Sequence, residues 1–518
     1  MRSAGSIPAD EPIRAELFSI ERLEQHARSL AEAQPVSSDP AGGRTLTSRL
    51  AQNERMLSQA YRDIVAVTQE GRQIPPAAEW LLDNYHIVDE QIREIKDDLP
   101  PKFYRRLPKL LDGPLKGYPR VFGVAWAVVA HSDSALDIQK LTAFVDAYQE
   151  IQPLTIGELW AIPITLRITL VENLRRVTEG IIHRLSASSV ADRMSEHFLD
   201  PERHDKAKDI LSALEDAPWS PAFAVQLTQR LRDRDPRVTP ALRWLNDRLT
   251  SEGTNSDQIV RDEMQRQSAA NVTVRNIITS MRLITSVDWP EFFESVSLVD
   301  RIMRSRSNFA KLDFQTRDLY RQAIEVLAIH SGTDEIDVTL RAIEAASRSK
   351  RNTTASDARS VRESDPGYFL LAEGRRNFEA ELTCSASWST RLYRRYSDAG
   401  VASYIASIGV LTALIVALAM WALTSTGAPD WLIAVLGFVA IVPVSDLAMS
   451  IVNRIITEQV GAMQLPGMEL SGGVPDNLRT MIVIPTLLTS SAEIAQHIER
   501  LEVHYLANPD DNFVFAFV

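Results

Sequence analysis

Along most of the first 395 residues, apolar positions recur every three or four places, the spacing of helices that bury one face. After the breaker Pro75-Pro76, the positions Leu81, Tyr85, Val88, Ile92 and Ile95 share a face and predict one amphipathic helix. Leu159, Ile162, Leu166, Leu170 and Leu174 mark another, although Ile162, Ile164, Leu166 and Ile168 also alternate as a strand would. The pattern runs on into Glu172-Asn-Leu-Arg-Arg176, and that length decides for helix, with Pro163 in its first turn. The polar stretches 37–44 and 347–365 read as linkers. The arm 1–395 is thus predicted to be mostly helical.

The pattern then changes character. From Tyr404 to Leu423 about twenty residues carry no charge, the length that crosses a hydrocarbon core of roughly 30 Å. A second apolar span covers 431–451, and the few residues between the two permit only a tight hairpin. Arg391, Arg394 and Arg395 precede the first span and Arg454 follows the second, while the connecting loop has neither Lys nor Arg. The positive-inside rule places both ends of the hairpin in the cytoplasm. Asp446 interrupts the second span beside Pro443 and Ser445. At mid-membrane a carboxylate costs about 2.5 to 3.5 kcal/mol, which marks a pore-lining or helix-pairing group. The alternative, favoured here, ends the span near Val444 and leaves Asp446 at the headgroups, where the cost falls away.

Beyond the hairpin, residues 478–518 read as a strand, a helix and a second strand. Met481 to Pro485 is a short apolar run closed by proline, and Thr489-Ser-Ser-Ala-Glu493 supplies a capping box. Ile494, Ile498, Leu501 and Tyr505 fall on one helix face, Asn508-Pro509-Asp510 breaks it, and Phe513 onward is the next strand. The two strands of such a βαβ unit are parallel, and ligands of parallel sheets sit at the carboxyl ends of the strands. Pro485, Thr486 and Leu487 lie at that edge and are the candidate nucleotide-binding residues. Asp510 and Asp511 look like a metal-binding pair, but they precede their strand, at the opposite edge, and read as turn residues.

Charge and composition narrow the function. A net charge of −12 argues against a nucleic-acid partner, which needs clustered Lys and Arg. The one cysteine, Cys384, excludes a disulfide framework and a multi-cysteine metal site. The first ten residues hold no apolar core of signal-peptide length, so the arm is expected to stay in the cytosol. No phosphate-binding loop, nucleophile elbow, HExxH or CxxC motif is present. His131-Ser132-Asp133 reads as a helix-end cap rather than a ligand pair, Trp80, Tyr85, Trp126 and Trp160 read as core, and Lys102 to Arg106 with Arg175-Arg176 as solvated faces or domain contacts rather than a phosphate site.

Several strings together resemble the N-terminal portion of bacterial cyclic β-1,2-glucan synthases: Glu11 to Phe18 (EPIRAELF), Ala78 to Tyr85 (AEWLLDNY), Leu107 to Leu110 (LPKL) and Gly117 to Arg120 (GYPR). To these add Gln152 to Trp160 (QPLTIGELW), Val171 to Arg176 (VENLRR), Pro485 to Ser490 (PTLLTS) and Leu501 to Pro509 (LEVHYLANP). The resemblance covers nearly the whole chain. It implies an inner-membrane, multi-pass enzyme that uses UDP-glucose and a divalent cation, Mg or Mn, to grow a β-1,2-glucan. Membrane lipid and the transferase and phosphorylase domains further along such proteins are its implied partners. The fold class expected is mostly α: a helical cytoplasmic region, a two-helix hairpin and the start of a GT-A-like α/β transferase domain. Catalytic metal ligands and base are expected beyond Val518, so the chain is expected to be inactive by itself and to hold no cofactor. Two other readings remain: a non-catalytic, membrane-anchored helical scaffold, and a small-ion pathway built around Asp446.

Overall fold

The computed structural model describes residues 11–37, 43–199, 220–231, 239–251, 253–352, 358–384, 388–425, 427–460, 465–470, 472–486 and 490–517. The fold is mostly helical, with only short sheets among the described residues. Two compact units divide the chain, Met1–Leu298 and Val299–Val518.

The first unit is organised on the helix Ile156–Leu199. Along its length it packs against the helices Leu46–Gln69, Tyr85–Asp98, Arg120–His131, Ser256–Ser286 and, towards its C-terminal end around Ala191, Pro221–Leu231. Nearly every side chain from Ile156 to Thr178 is buried. A helix hidden on all sides has no polar face to set its period, which is why strand-like alternation and helical spacing coexist in its sequence. Pro163 is the eighth residue of this helix, not a first-turn residue as the pattern suggested. A mid-helix proline costs about 3 kcal/mol, and burial on every side offsets that cost.

The segment expected to be one amphipathic helix is two, Pro76–Asp83 and Tyr85–Asp98, broken at Asn84. The Asn84 amide donates to the Trp80 carbonyl (2.9 Å) and accepts from Arg282 (2.6 Å), so a polar side chain serves backbone groups that a continuous helix would satisfy itself. Leu81, Val88, Ile92 and Ile95 remain buried, because the break preserves the phase of the apolar stripe.

In the second unit, the helices Phe314–Ser331, Glu335–Asn352 and Pro366–Leu371 pack together over Ile324, Leu327, Val338 and Leu370. The first polar residues of the stretch 347–365 belong to the second of these helices, and 353–357 lie outside the described residues. Arg321 and Asp300, both with fully buried side chains, form an ion pair at 2.6 Å. After the helix Arg375–Glu381 comes a helix Trp388–Asp398, and Gly400 with φ +55 turns the chain into two long apolar helices, Val401–Thr424 and Asp430–Val460. These lie side by side, and their outward faces are apolar and exposed, with Trp421, Phe438 and Val442 each over 70% accessible. A water-soluble surface does not present such a band, and both helices are long and apolar enough to cross a membrane. The second runs unbroken past Pro443 and Asp446.

Past the hairpin the chain returns to the helical body. Asp313 N–H donates to the Gly467 carbonyl (3.1 Å), Gly467 N–H to Thr316 (2.8 Å), and Arg317 pairs with Glu469 at 2.8 Å. The last element is a parallel pair, Thr480–Ile484 with Phe513–Phe517, in register from Thr480↔Phe513 to Ile484↔Phe517 and bridged by the helix Ser491–Ala507.

Candidate functional site

The parallel pair sets the geometry of the candidate site. Ser490 caps the crossover helix by accepting from the Glu493 N–H at 3.3 Å, as the capping box predicts. The helix covers the face of Phe513, Phe515 and Phe517, with Tyr505 and His497 set edge-on to the second and third rings. Ile494 and Leu501 are half-buried under it, whereas Ile498 and Tyr505 stay exposed beside an open groove of about 420 Å³ lined by Leu501, Glu502, Phe513 and Phe515 as well.

Pro485 and Thr486 follow directly on the end of the first strand and therefore stand at the carboxyl edge, level with Phe517 of the second. The Thr486 hydroxyl donates to the Ile484 carbonyl at 3.2 Å. Leu487 lies outside the described residues. Asp510 is at the opposite edge and has a backbone task. Its two carboxylate oxygens accept from Val474 N–H (2.7 Å) and Asn512 N–H (2.9 Å), and these bonds hold its pKa below the usual carboxylate range. Asn512 completes the clasp by donating to the Val474 carbonyl and to Asp476.

Several of the residues that carry the family resemblance in the first unit bind one another. Glu172 is wholly buried and accepts from Arg49 (2.6 and 2.9 Å), Arg176 (2.8 Å) and Asn53 (2.8 Å). Burial alone would raise its pKa; the Arg49 hydrogen bonds and charge, with those of Arg176 and Asn53, outweigh this and hold it at about 2. Arg176 also donates to the Glu11 carbonyl, and Asn173 brackets the Ile13 backbone from both sides. EPIRAELF and VENLRR are therefore two halves of one joint. Of the two readings for Arg175 and Arg176, a solvated face or a domain contact, the second holds: they are 10% and 2% exposed, drawn inward by the buried Glu172.

A second joint links GYPR to QPLTIGELW. Arg120 makes a bidentate ion pair with buried Glu158 and donates to Gln152 and the Pro153 carbonyl. Glu158 also accepts from the Thr155 N–H while its own N–H donates to the Thr155 hydroxyl, a reciprocal cap on the central helix. The sequence spells this Thr-x-x-Glu signal, which reading for catalytic motifs passed over.

The segment does close its helix: Asp133 and Ser134 adopt left-handed backbone (φ +48 and +63) and the Ser134 N–H donates to the Val129 carbonyl at 3.0 Å, while the Asp133 carboxylate accepts from Thr273 (2.8 Å) and Arg14 (3.2 Å). His131 ends its helix with its ring stacked on Phe18 at 4.0 Å and Nδ1 2.8 Å from the Glu16 carbonyl. Of the aromatics, Tyr85 stacks on Tyr61 and Trp160 on Phe293, while Trp126 lies under the Arg176 guanidinium, all as packing partners.

In the hairpin, Tyr404 Oη bonds Asn453 at 2.7 Å, and a Cβ on Gly437 would meet the Met420 sulfur at 2.7 Å. Both pairs fit one antiparallel register, which sets Asp446 level with Leu411. From Leu411 to the end of the first helix the chain rises only about 20 Å at 1.5 Å per residue, short of a hydrocarbon core. Asp446 is exposed on the helix surface.

Among the described residues no three His, Cys, Asp or Glu side chains converge as metal ligands. Pro485, Thr486 and Phe517 bring no carboxylate to the carboxyl edge, so these residues do not by themselves fit a divalent cation.

No family model matches the chain. The chain is 34% identical over 521 residues to the cyclic beta-(1,2)-glucan synthase NdvB of Rhizobium meliloti (strain 1021). That similarity takes in 99% of this chain but 18% of the relative, of which it covers an N-terminal portion. The chain thus spans less than a fifth of the length of the protein it matches, and the resemblance first seen in separate strings extends along all of it.

Proposed function

We propose that this chain serves cyclic β-1,2-glucan synthesis from UDP-glucose, as the portion that anchors the synthase in the bacterial inner membrane and opens its transferase fold. The observation that carries this reading is the parallel pair Thr480–Ile484 with Phe513–Phe517, placed in the chain after two membrane-length helices. Ligands of parallel sheets bind at the carboxyl edge, so Pro485, Thr486 and Leu487 would border the nucleotide. Similarity to a glucan synthase along the entire chain supports the substrate.

Transfer of glucose from UDP requires a cation to stabilise the departing diphosphate and a base to deprotonate the acceptor hydroxyl. Neither is supplied by the residues at this edge, and the transferase and phosphorylase regions of the same enzyme class are its natural partners. Both ends of the hairpin face the cytoplasm in this reading. Its support, besides the arginine distribution, is that the segments entering and leaving the hairpin bond to one helical body, through Arg394 with Glu379 before it and Arg317 with Glu469 after it.

The test is labelled UDP-glucose in membranes that make the glucan. Thr486→Leu in the gene's natural setting is expected to cut incorporation into cyclic glucan at least ten-fold while the protein level holds. The purified 518-residue chain is expected to turn over none. Undiminished incorporation by the variant would remove the nucleotide edge, and turnover by the isolated chain would refute the division of labour.

The helical arm favours a second, compatible reading as scaffold. Its family-like residues are spent on buried joints, and Glu172 and Glu158 are both closed off from substrate by arginines.

A further inference from the structure

We infer that the helix Trp388–Asp398 lies in the cytoplasmic face of the bilayer as an interfacial collar for the hairpin, reading anionic lipid headgroups through Arg391 and Arg395. Its two sides are committed to different surroundings. On one, Arg394 pairs with Glu379 at 2.6 Å and Asp398 with Arg376 at 2.5 Å, which ties that face to the helix Arg375–Glu381. On the other, Leu392 and Tyr396 stand four residues apart on one stripe, 59% and 37% exposed. Arg391 and Arg395 are exposed along the flank of that stripe. An apolar stripe edged with arginine on a short helix is the pattern that settles at the boundary between headgroups and acyl chains.

The collar's depth is fixed by its bonds to the first apolar helix. Tyr396 Oη lies 2.9 Å from Ser407 Oγ, and Ser403 Oγ donates to the Tyr396 carbonyl at 2.7 Å. Ser403 and Ser407 belong to the first two turns of Val401–Thr424, so the collar stands against the opening ~9 Å of that helix. Interfacial helices bury their apolar face about 5–10 Å deep, the same level. Gly400, with φ +55, separates the two helices with the kind of backbone turn that a helix in the membrane plane needs to lead into one that crosses it. The occupant of the exposed stripe is therefore lipid. The surface is continuous with the hairpin's own, and the charges flanking it are complementary to phosphate and to an anionic leaflet.

This inference rests on the hairpin crossing the membrane, and the test separates the two. In a Cys384→Ser background, nitroxide is attached to Leu392→Cys, Ser397→Cys or Leu414→Cys in the full 518-residue chain, held in nanodiscs with or without phosphatidylglycerol. Relaxation by oxygen, which favours lipid, is compared with relaxation by a water-soluble nickel chelate. Oxygen is expected to dominate at Leu392→Cys and Leu414→Cys and nickel at Ser397→Cys. Nickel dominance at Leu392→Cys with oxygen dominance at Leu414→Cys overturns the collar and leaves the hairpin standing; nickel dominance at Leu414→Cys overturns both. Phosphatidylglycerol is expected to raise the oxygen-to-nickel ratio at Leu392→Cys at least two-fold, and the double change R391Q and R395Q to abolish that gain. A ratio indifferent to phosphatidylglycerol, or a gain that survives both substitutions, overturns the headgroup recognition.

Discussion

Glu172 shows how a single carboxylate can decide the reading of a whole helical arm. It sits with no exposed side-chain surface against Arg49, Arg175 and Arg176, a cluster whose charges are worth keeping only as a set. Removing one member of a buried pair strands the others, at a cost of roughly 3–5 kcal/mol. Glu172→Gln is therefore expected to destabilise the first unit by about that much, read as faster hydrogen exchange in the helix Ile156–Leu199 of the whole chain in detergent. Acid should do the same. The folded pKa of about 2 is depressed from 4.5, so the stabilisation is complete above about pH 4.5 and is lost as pH falls from there through 2. Exchange rates in that helix that stay flat from pH 5 to pH 3, after correction for intrinsic chemistry, would contradict this assignment. At the strand edge, Asp510→Ala frees the Val474 and Asn512 N–H groups. Each lost hydrogen bond is worth about 1 kcal/mol, and protease cleavage between 470 and 480 is expected to quicken several-fold. None of these roles was visible from charge alone, since sequence shows that Arg175 and Arg176 are adjacent but not that a buried acid lies behind them.

Among the elements, those whose pattern is local were legible. The capping box and proline stop around the crossover helix, the two uncharged runs and the apolar run of each strand all depend on neighbours a few residues away, and each formed where the pattern placed it. What failed depends on distant packing. Asn84 interrupts the helix but not its apolar stripe, where Arg282, almost two hundred positions away, donates to its side-chain amide oxygen. Pro163 survives inside a helix because the turns around it are buried on every side by other helices. The level of Asp446 was equally hidden, since it follows from which residues face each other across the hairpin. If the hairpin spans, a carboxylate level with Leu411 lies within hydrocarbon, and Asp446→Leu should favour insertion by about 2.5–3.5 kcal/mol. Glycosylation mapping of the second helix in microsomes measures that balance. No gain in the inserted fraction would return Asp446 to the headgroups.

For the molecule as a whole, topology is the decisive observable. A reporter inserted at Gly427 is expected to show periplasmic exposure, and a cytoplasmic signal would undo the two-pass arrangement. The candidate site was half legible: its edge of the sheet could be read from the order strand, helix, strand, whereas its chemistry could not, because Pro485 and Thr486 are ordinary residues given meaning only by the pairing of two strands thirty residues apart. One consequence follows from the clasp of Arg317 on Glu469. It pins the chain just after the hairpin, and only nine residues lie between Leu470 and the first strand residue, Thr480. Even drawn straight, that leash reaches about 35 Å. Should the hairpin cross a bilayer and this sheet carry the proposed transfer, that chemistry would be tethered close beneath the membrane surface.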